Sequence, residues 1–317
     1  MRYVVIGAGA VGGTIGARLH QAGHEVVLVA RGAHYEAMRR NGLRLITPNS
    51  DEVLDVQVAD GPVDADALII ATKSQDTIAA LDPWPRDLPV VCAQNGVDNE
   101  RTALRRFERV YGMCVWLPAT HLEPGVVVAH GVPKSGMLHV GRYPQGVDEF
   151  SAQLTGDLLK SGFVAENTGD VMRWKYGKLL NNLPNAVQAL TGSAPELARR
   201  AQEEGMAVLE EAGLPYSTSA DEAEKRGKQV EIGEIDGVAR SGGSSWQSLA
   251  RASGSIEADY LNGEIVLIAR ELGRYAPVNE VLQREANRAA REKLPPGSMP
   301  AERLAALIDE RYAAVSR

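Results

Sequence analysis

The chain has 317 residues, 44% of them hydrophobic, and carries a formal net charge of −7. This length favours two domains, and the acidic balance disfavours a general nucleic-acid binder, whose surface must neutralise phosphates. No apolar run approaches the roughly 20 residues that cross a bilayer. The N-terminal stretch has the pattern of a strand and turn and not of a signal peptide, so we expect a cytoplasmic protein. From the acidic charge and the lack of a long apolar run, we expect no nucleic-acid and no membrane partner.

The two cysteines, Cys92 and Cys114, lie in apolar, strand-like segments. We expect both to be buried as small hydrophobic side chains in a reducing compartment. No pair of histidines lies near them, so they do not predict a zinc site, and we expect no metal.

The first half of the chain alternates short β-branched segments with amphipathic ones. The predicted elements are strands at 2–6, 25–30, 66–73 and 88–96 and a helix at 12–23. The last two strands are continuously apolar, which is typical of parallel strands covered on both faces. Three further β-rich segments follow with little helix between them: RVYGMCVWLPA, GVVVAHG and GMLHVGRY.

From about Asp170 the apolar spacing becomes helical, with turn residues separating the segments. Long helices are predicted in VMRWKYGKLLNNLPNAVQAL, APELARRAQEEGMAVLEEAG, SIEADYLNGEIVLIARELG and VNEVLQREANRAAREKL. Pro184 should kink the first of them. We therefore predict an α/β fold with an N-terminal Rossmann-type doubly wound sheet (1–168), followed by an all-helical C-terminal domain (169–317).

A glycine motif lies between the first strand and the first helix. Its residues, which match G-x-G-x-x-G, are Gly7, Ala8, Gly9, Ala10, Val11 and Gly12. The first glycine allows a tight turn, the second lets the backbone approach a pyrophosphate, and the third lets helix and strand pack closely. Because this motif follows a strand and opens a helix, it predicts dinucleotide binding.

The end of the second strand favours NADP(H) over NAD. NAD-binding proteins place an acidic residue there, on the ribose 2′-hydroxyl, whereas Arg31 follows this strand. An arginine can bind a 2′-phosphate through two parallel hydrogen bonds. Lys73, the last residue of the predicted strand at 66–73, adds a second cation that either contributes to this site or is solvated.

The predicted helix around Lys178 carries an unusual polar stripe. Lys178, Asn182 and Asn185 share one face at helical spacing. An asparagine there could instead satisfy a backbone group that Pro184 frees. Glu257, two residues after the candidate N-cap Ser255, could simply complement a helix dipole, and Asn95 could simply shape the turn after its strand.

Together these residues resemble the ketopantoate reductase family. The resemblance covers nearly the whole chain and rests on GAGAVGG, QNG, the WxxxKLLxN helix with its proline, and SSWQSLARASGSIEADYLNGE. It implies a Rossmann domain joined to a helical domain, with the active site in the cleft between them. It also implies NADPH-dependent reduction of a 2-oxo acid, here 2-dehydropantoate, to a 2-hydroxy acid.

The resemblance also implies roles for individual residues. Lys178 matches the catalytic lysine that donates a proton, and Glu257 matches its acidic partner. Asn95 matches an active-site asparagine near the nicotinamide that contacts both substrate and cofactor. The remaining matches are Asn182, Asn185 and Ser245 at the substrate and Arg31 and Lys73 at the 2′-phosphate.

Two departures from the family pattern bear on the substrate. Ala186 stands where a further asparagine is expected, with Asn185 beside it, and Trp246 and Ser248 replace a methionine and an aspartate. A paralogous reductase of another 2-oxo acid, with a bulky pocket around Trp246 and Trp116, is therefore the first alternative. The second is a protein that senses NADP(H) without turnover. The family also suggests a homodimer.

Overall fold

The computed structural model describes residues 1–235 and 242–315 in two compact units. The first unit comprises Met1–Lys175 with the described part of Thr218–Ala239, and the second comprises Tyr176–Ser217 with the described part of Arg240–Arg317. These limits differ from the predicted division at residue 168. The first unit extends to Lys175 and also includes a later segment that the sequence pattern had assigned to the helical domain.

The first unit is built on an eight-stranded sheet. Its strands, in spatial order, are β13 (Val164–Asn167), β12 (Met137–Arg142), β8 (Val110–Trp116), β7 (Val90–Cys92), β6 (Ala67–Ile70), β1 (Arg2–Ile6), β2 (Glu25–Val29) and β5 (Gln57–Ala59). All neighbouring strands are parallel except β8 and β12. The run from β5 to β8 has the strand order of a Rossmann sheet, which confirms the predicted fold class.

The described part of the first unit also contains helices. They are α1 (Ala10–Gln21), α2 (Gly32–Asn41), α3 (Thr77–Leu81), α4 (Asn99–Leu104), α5 (Glu149–Lys160) and α9 (Ser219–Arg226), with a 3-10 turn at Ser74–Asp76. Tyr3 and Val5 belong to one buried cluster, whereas Val4 and Ile6 belong to another. Because side chains alternate along a strand, β1 is buried on both faces, which explains its unbroken apolar sequence.

Two smaller sheets complete the first unit. One has the order β4 (Ser50–Leu54), β3 (Leu43–Thr47), β10 (Val126–Ala129) and β9 (Ala119–Thr120), and the other pairs β11 (Gly131–Pro133) with β14 (Val230–Ile232). The predicted strand GVVVAHG therefore lies outside the main sheet. The antiparallel pairing of β14 with β11 explains why the chain returns to the first unit after the first helices of the second.

The regular elements of the second unit are helical throughout its described part. They are α7 (Pro184–Thr191), α8 (Pro195–Glu211), α10 (Ser244–Ala250), α11 (Asn262–Glu271), α12 (Pro277–Arg291) and α13 (Ala301–Val315), with a 3-10 turn at Glu257–Tyr260. Helix α6 (Val171–Asn182) begins in the first unit and ends in the second. In the described ranges, none of the helices combines the length and the apolar character that crossing a membrane requires.

The break at Pro184 is confirmed: α6 ends at Asn182 and α7 begins at Pro184. A proline has no N–H for the carbonyl four residues earlier, which here is that of Leu180. The amide of Gln202, on α8, donates to this oxygen at 3.4 Å. The Leu183 carbonyl accepts from Asn262 Nδ2 at 3.2 Å. Side chains from two other segments therefore stabilise the break between Asn182 and Asn185 of the polar stripe.

Candidate functional site

The glycine loop after β1 has the geometry that its motif requires. Gly7 has a φ of +98° and its N–H donates to the Val29 carbonyl at 2.9 Å. A Cβ atom on Gly7 would lie 2.8 Å from the Thr72 nitrogen, and one on Gly12 would overlap the Gly7 carbonyl oxygen. Only glycine fits at these two positions, because β1, α1 and the end of β6 meet there.

Gly9 differs from its neighbours, since a Cβ atom there would meet nothing within 4 Å. Gly9 is also the N-cap of α1 and offers no side-chain hydrogen bond to the N–H groups of the first turn. These groups carry the positive end of the helix dipole and suit a phosphate. The space above Gly9 and the uncapped helix start therefore fit a dinucleotide pyrophosphate, for which Gly7, Ala8, Gly9, Ala10, Val11 and Gly12 supply the backbone.

Arg31 lies directly after β2 and is the N-cap of α2. Its side chain is exposed, and its guanidinium has no hydrogen bond or ion pair with any residue that the structure describes. The residues that follow β2 in the sequence, Ala30 and Arg31, include no acidic residue, whereas a dinucleotide ribose would lie near this strand end in a Rossmann fold. Lys73 is partly buried and is the N-cap of the 3-10 turn after β6. Both positions suit cations that bind an anionic cofactor.

Two residues that the sequence did not indicate contribute to this edge of the sheet. Thr72, beside Lys73, has a buried hydroxyl with no hydrogen-bond partner among the described residues. His34, on α2, contacts the Ala8 carbonyl through Nε2 at 2.7 Å, while the Gly125 N–H donates to Nδ1 at 2.8 Å. Since Nδ1 accepts, the ring proton lies on Nε2 and the histidine is neutral. Burial also lowers its pKa.

Asn95 follows β7 at the carboxyl edge of the main sheet, where open α/β sheets bind ligands. Its side chain is partly buried, and Gly96 after it has a φ of +79°. The Asn95 carbonyl accepts from Asn99 Nδ2 at 3.0 Å. The turn is therefore held by its own neighbours, with the position after Asn95 restricted to glycine or a similarly tolerant residue.

In the second unit, α6 carries the partly buried Lys178 and, one turn later, Asn182. Asn182 is 5% exposed, yet its Nδ2 has no hydrogen-bond partner among the described residues. A buried amide donor without a partner costs about 1–3 kcal/mol. A polar substrate that binds beside the candidate catalytic lysine would accept a hydrogen bond from this amide.

Asn185 lies on α7, beyond the break, and not on a continuation of the same helix. It approaches the start of α10, because a Cβ atom on Gly243 would lie 2.9 Å from Asn185 Oδ1. Gly243 is the N-cap of α10, and the buried Ser245 lies in its first turn. The structure thus brings Asn185 close to the segment of Ser245. The prediction that Lys178, Asn182 and Asn185 share one helix face is therefore wrong, since Asn185 lies on a second helix.

Glu257 opens a 3-10 turn whose N-cap is Ile256. The expected α-helix with Ser255 as its cap is therefore wrong, since α11 begins only at Asn262. The rest of the E-x-D-Y-x-N-G motif explains this turn. Asp259 accepts from Gln283 and Asn287 of α12, each at 2.7 Å, and Asn262 holds the Leu183 carbonyl. The motif anchors the turn of Glu257 to α12 and to the end of the lysine helix.

The candidate residues fall into two sets, one in each unit. The first unit holds the glycine loop, Arg31, Lys73 and Asn95, and the second holds Lys178, Asn182, Asn185, Ser245 and Glu257. Cys92 and Cys114 are buried and form no disulfide with any residue that the structure describes. Among the described residues, no group of three or more His, Cys, Asp or Glu side chains is arranged to hold a metal ion.

The strand order and the glycine loop define a Rossmann-type dinucleotide-binding fold. Two family models match the chain: ketopantoate reductase PanE/ApbA over residues 3–145, and ketopantoate reductase PanE/ApbA C terminal over residues 170–289. A 2-dehydropantoate 2-reductase of Archaeoglobus fulgidus is 30% identical over 294 residues, covering 89% of this chain and 95% of the relative. The chain belongs to the ketopantoate reductase family, a family of NAD(P)-dependent oxidoreductases.

Solved structures agree with this assignment. A PanE/ApbA family ketopantoate reductase from Ralstonia eutropha JMP134 is 29% identical, with a TM-score of 0.76 over 92% of this chain and 99% of its own. A D-mandelate dehydrogenase solved with NADH and anilino(oxo)acetate is 21% identical, with a TM-score of 0.77 over 93% of this chain and 99% of its own. The latter shows a shared fold alone.

Proposed function

We propose that the chain catalyses the NADPH-dependent reduction of 2-dehydropantoate to pantoate. The family and its named 2-dehydropantoate 2-reductases support this reaction. The observation that carries the proposal is the helix of Lys178, where the buried amide of Asn182 has no partner among the described residues. An amine followed one turn later by an unsatisfied amide donor suits a substrate with several oxygen acceptors, such as a 2-oxo acid.

The glycine loop would hold the pyrophosphate of NADP(H), and Arg31 and Lys73 the 2′-phosphate. Arg31 favours NADPH over NADH because its guanidinium, exposed and unpaired in the described part of the chain, can bind a phosphate with two hydrogen bonds. When bound, the cofactor supplies a hydride to the carbonyl carbon of the substrate.

The chain's own residues then account for the remaining steps. As the carbonyl oxygen gains negative charge, the Lys178 ammonium stabilises it and donates a proton, which completes the hydroxyl group. Glu257 keeps this lysine charged between turnovers. Asn95 orients the carbonyl, Asn182 and Asn185 donate to substrate oxygens, and the Ser245 hydroxyl binds the carboxylate.

The test is a comparison of Lys178→Ala and Lys178→Arg with the wild-type protein. We expect kcat to fall by about 10²–10⁴-fold in the alanine variant, the usual contribution of a general acid, while the Kd for NADPH stays within a factor of two. Arginine should not rescue turnover, since it does not release its proton. Loss of NADPH binding with normal single-turnover chemistry would contradict the role of Lys178.

A second candidate is the reduction of a different, bulkier 2-oxo acid. It is favoured by Trp246 in the first turns of α10, beside the proposed carboxylate serine, where the sequence departs from the family pattern. A protein of the same fold is named a D-mandelate dehydrogenase. Turnover of an aromatic 2-oxo acid above that of 2-dehydropantoate would select this candidate. NADPH binding without turnover of any 2-oxo acid would instead identify a sensor.

We also propose that the chain forms a homodimer through its helical unit. Leu267, Leu272, Tyr275 and Tyr312 are large apolar or aromatic side chains that are exposed on or near α11–α13. Light scattering on the purified protein should give twice the chain mass, and Tyr275→Lys with Leu272→Lys should lower it. A monomer at micromolar concentration would contradict the proposal.

A further inference from the structure

Lys175 and Glu100 form an ion pair that is fully enclosed in the first unit. Their side chains are 2% and 0% exposed. The ammonium donates to Glu100 Oε1, to the Gln94 carbonyl at 3.0 Å and to the Cys92 carbonyl at 3.5 Å. All three of its donors are thus used. Lys175 therefore differs from the partly buried Lys178, one turn later, because its three ammonium hydrogens are already bonded within the protein.

This pair is costly to bury. Two charges lose their hydration, and a well-packed apolar pair is often no less stable. Burial raises the pKa of the Glu100 carboxyl, and its Oε2 has no hydrogen-bond partner among the described residues. Stability alone gives little reason for such a pair. The pair instead fixes the backbone conformation at the carboxyl end of β7, because the ammonium holds two main-chain oxygens there.

Asn95 is held from its other side as well. The Asn95 carbonyl accepts from Asn99 Nδ2. The carboxamide oxygen of Asn99 accepts from the Thr77 hydroxyl at 2.8 Å. Gln94 Nε2 donates to the same hydroxyl at 2.7 Å. Gln94, Asn99 and Thr77 are all buried. The main-chain carbonyls of Gln94 and Asn95, which flank the Asn95 side chain, therefore each accept a hydrogen bond from a buried donor.

We propose that Lys175, paired with Glu100, is a positioning residue for Asn95. It holds the Gln94 carbonyl so that the Asn95 carboxamide keeps the direction in which it orients the substrate carbonyl. This inference rests on the proposed function, which gives Asn95 that role. It adds a requirement that the glycine loop and the lysine stripe do not contain. A buried ammonium, bonded to Glu100 and to two main-chain oxygens, sets the geometry of a substrate contact.

The experiment compares Lys175→Met/Glu100→Gln, which removes both charges together, with the wild-type protein and with Asn95→Ala. Lys175→Arg tests rescue, and Lys225→Met/Glu166→Gln, which removes an exposed pair at 2.7 Å in the same unit, is the matched control. The measurements are kcat, the Kd for NADPH and hydrogen exchange of the peptide spanning 94–96. Thermal unfolding of each variant shows that it is folded.

We expect the double variant to lose about tenfold to hundredfold in kcat, as for a misplaced substrate contact, with a change in the Kd for NADPH no larger than that caused by Asn95→Ala. In the Asn95→Ala background the same two changes should alter kcat by less than about twofold, because the contact is already gone. Exchange at 94–96 should be faster in the double variant and unchanged in the control. Equal losses in both backgrounds, or no loss, would overturn the inference.

A failure of the proposed function gives a different result. If the wild-type protein reduces no 2-oxo acid, the reaction assignment fails, and the exchange measurement decides the inference. Faster exchange confined to 94–96 would support the positioning of this turn by Lys175. Wild-type exchange there would overturn it.

Discussion

Gly12 lies directly against the carbonyl oxygen of Gly7, so that a Cβ atom at position 12 would overlap that oxygen. Gly9, between them, faces open space. Gly12→Ala should therefore damage the fold of the loop. Gly9→Ala should leave the melting temperature unchanged but weaken NADPH binding about tenfold or more, because its methyl group would occupy the space proposed for the pyrophosphate.

Calorimetry and fluorescence titration separate these effects. Gly156→Ala, in the middle of α5 where a Cβ atom meets nothing within 4 Å, is the control for a general glycine-to-alanine change. It should stabilise the protein by about 0.5–1 kcal/mol and leave NADPH binding alone. Wild-type affinity in Gly9→Ala would argue against a cofactor above this glycine.

Arg31→Ala should reduce the affinity for NADPH by about tenfold to hundredfold, since a charge-assisted pair of hydrogen bonds to the 2′-phosphate is lost. The affinity for NADH, which lacks this phosphate, should change little. Arg39→Ala is the matched control, because Arg39 lies on the same helix but pairs with Glu36 at 3.2 Å. Equal losses for both cofactors in Arg31→Ala would contradict NADP selectivity at this position.

Asn182→Leu should raise the KM for the 2-oxo acid at least about tenfold without destabilising the fold, because the lost amide donor has no partner in the described residues. Asn279→Leu is the contrast. Asn279 is equally buried but donates to Glu204 at 2.9 Å and to the Ala201 carbonyl at 3.1 Å. It should cost about 1–3 kcal/mol of unfolding free energy, measured by denaturant titration. Similar destabilisation in both variants would show that Asn182 is structural.

His139 predicts a pH dependence of stability. It is 1% exposed, lies 4.7 Å from the Trp174 ring, and neither ring nitrogen has a hydrogen-bond partner among the described residues. Burial lowers its pKa to about 4. Since the unfolded chain binds this proton near pH 6.5, the neutral histidine contributes stability above that pH, and the contribution is lost as the pH falls towards 4.

At pH 4 the free energy of unfolding has lost about 3 kcal/mol through His139. His139→Phe removes the titrating group and keeps a ring against Trp174. The unfolding free energy of this variant should fall less between pH 7 and pH 4 than that of the wild-type protein. Parallel curves for the two proteins would contradict the assignment to His139.

Local patterns predicted most of the first unit. β1, β2, β6 and β7 are apolar on both faces and are separated by glycine and polar turns, so their type and order were readable. β14 was not, because its three residues follow a short helix and gain strand structure only by pairing with β11, far away in sequence. Long-range pairing of this kind leaves no period in the sequence.

The sequence likewise predicted part of the candidate site and missed the rest. The glycine loop and the stripe of Lys178 and Asn182 follow from spacing alone. The 3-10 turn at Glu257 was missed because its cause is Asp259, which bonds to α12. Lys175 and Glu100 were missed because nothing in the local sequence indicates that two charges 75 positions apart are buried together.

The central claim is hydride transfer from NADPH to a 2-oxo acid, and the most direct test is NADPH consumption by the wild-type protein. The assay follows nicotinamide absorbance with 2-dehydropantoate and with a panel of branched and aromatic 2-oxo acids, and product analysis identifies the 2-hydroxy acid. We predict turnover with NADPH well above that with NADH, and one equivalent of 2-hydroxy acid for each NADPH consumed. NADPH that binds but is not oxidised by any acid of the panel would contradict the account.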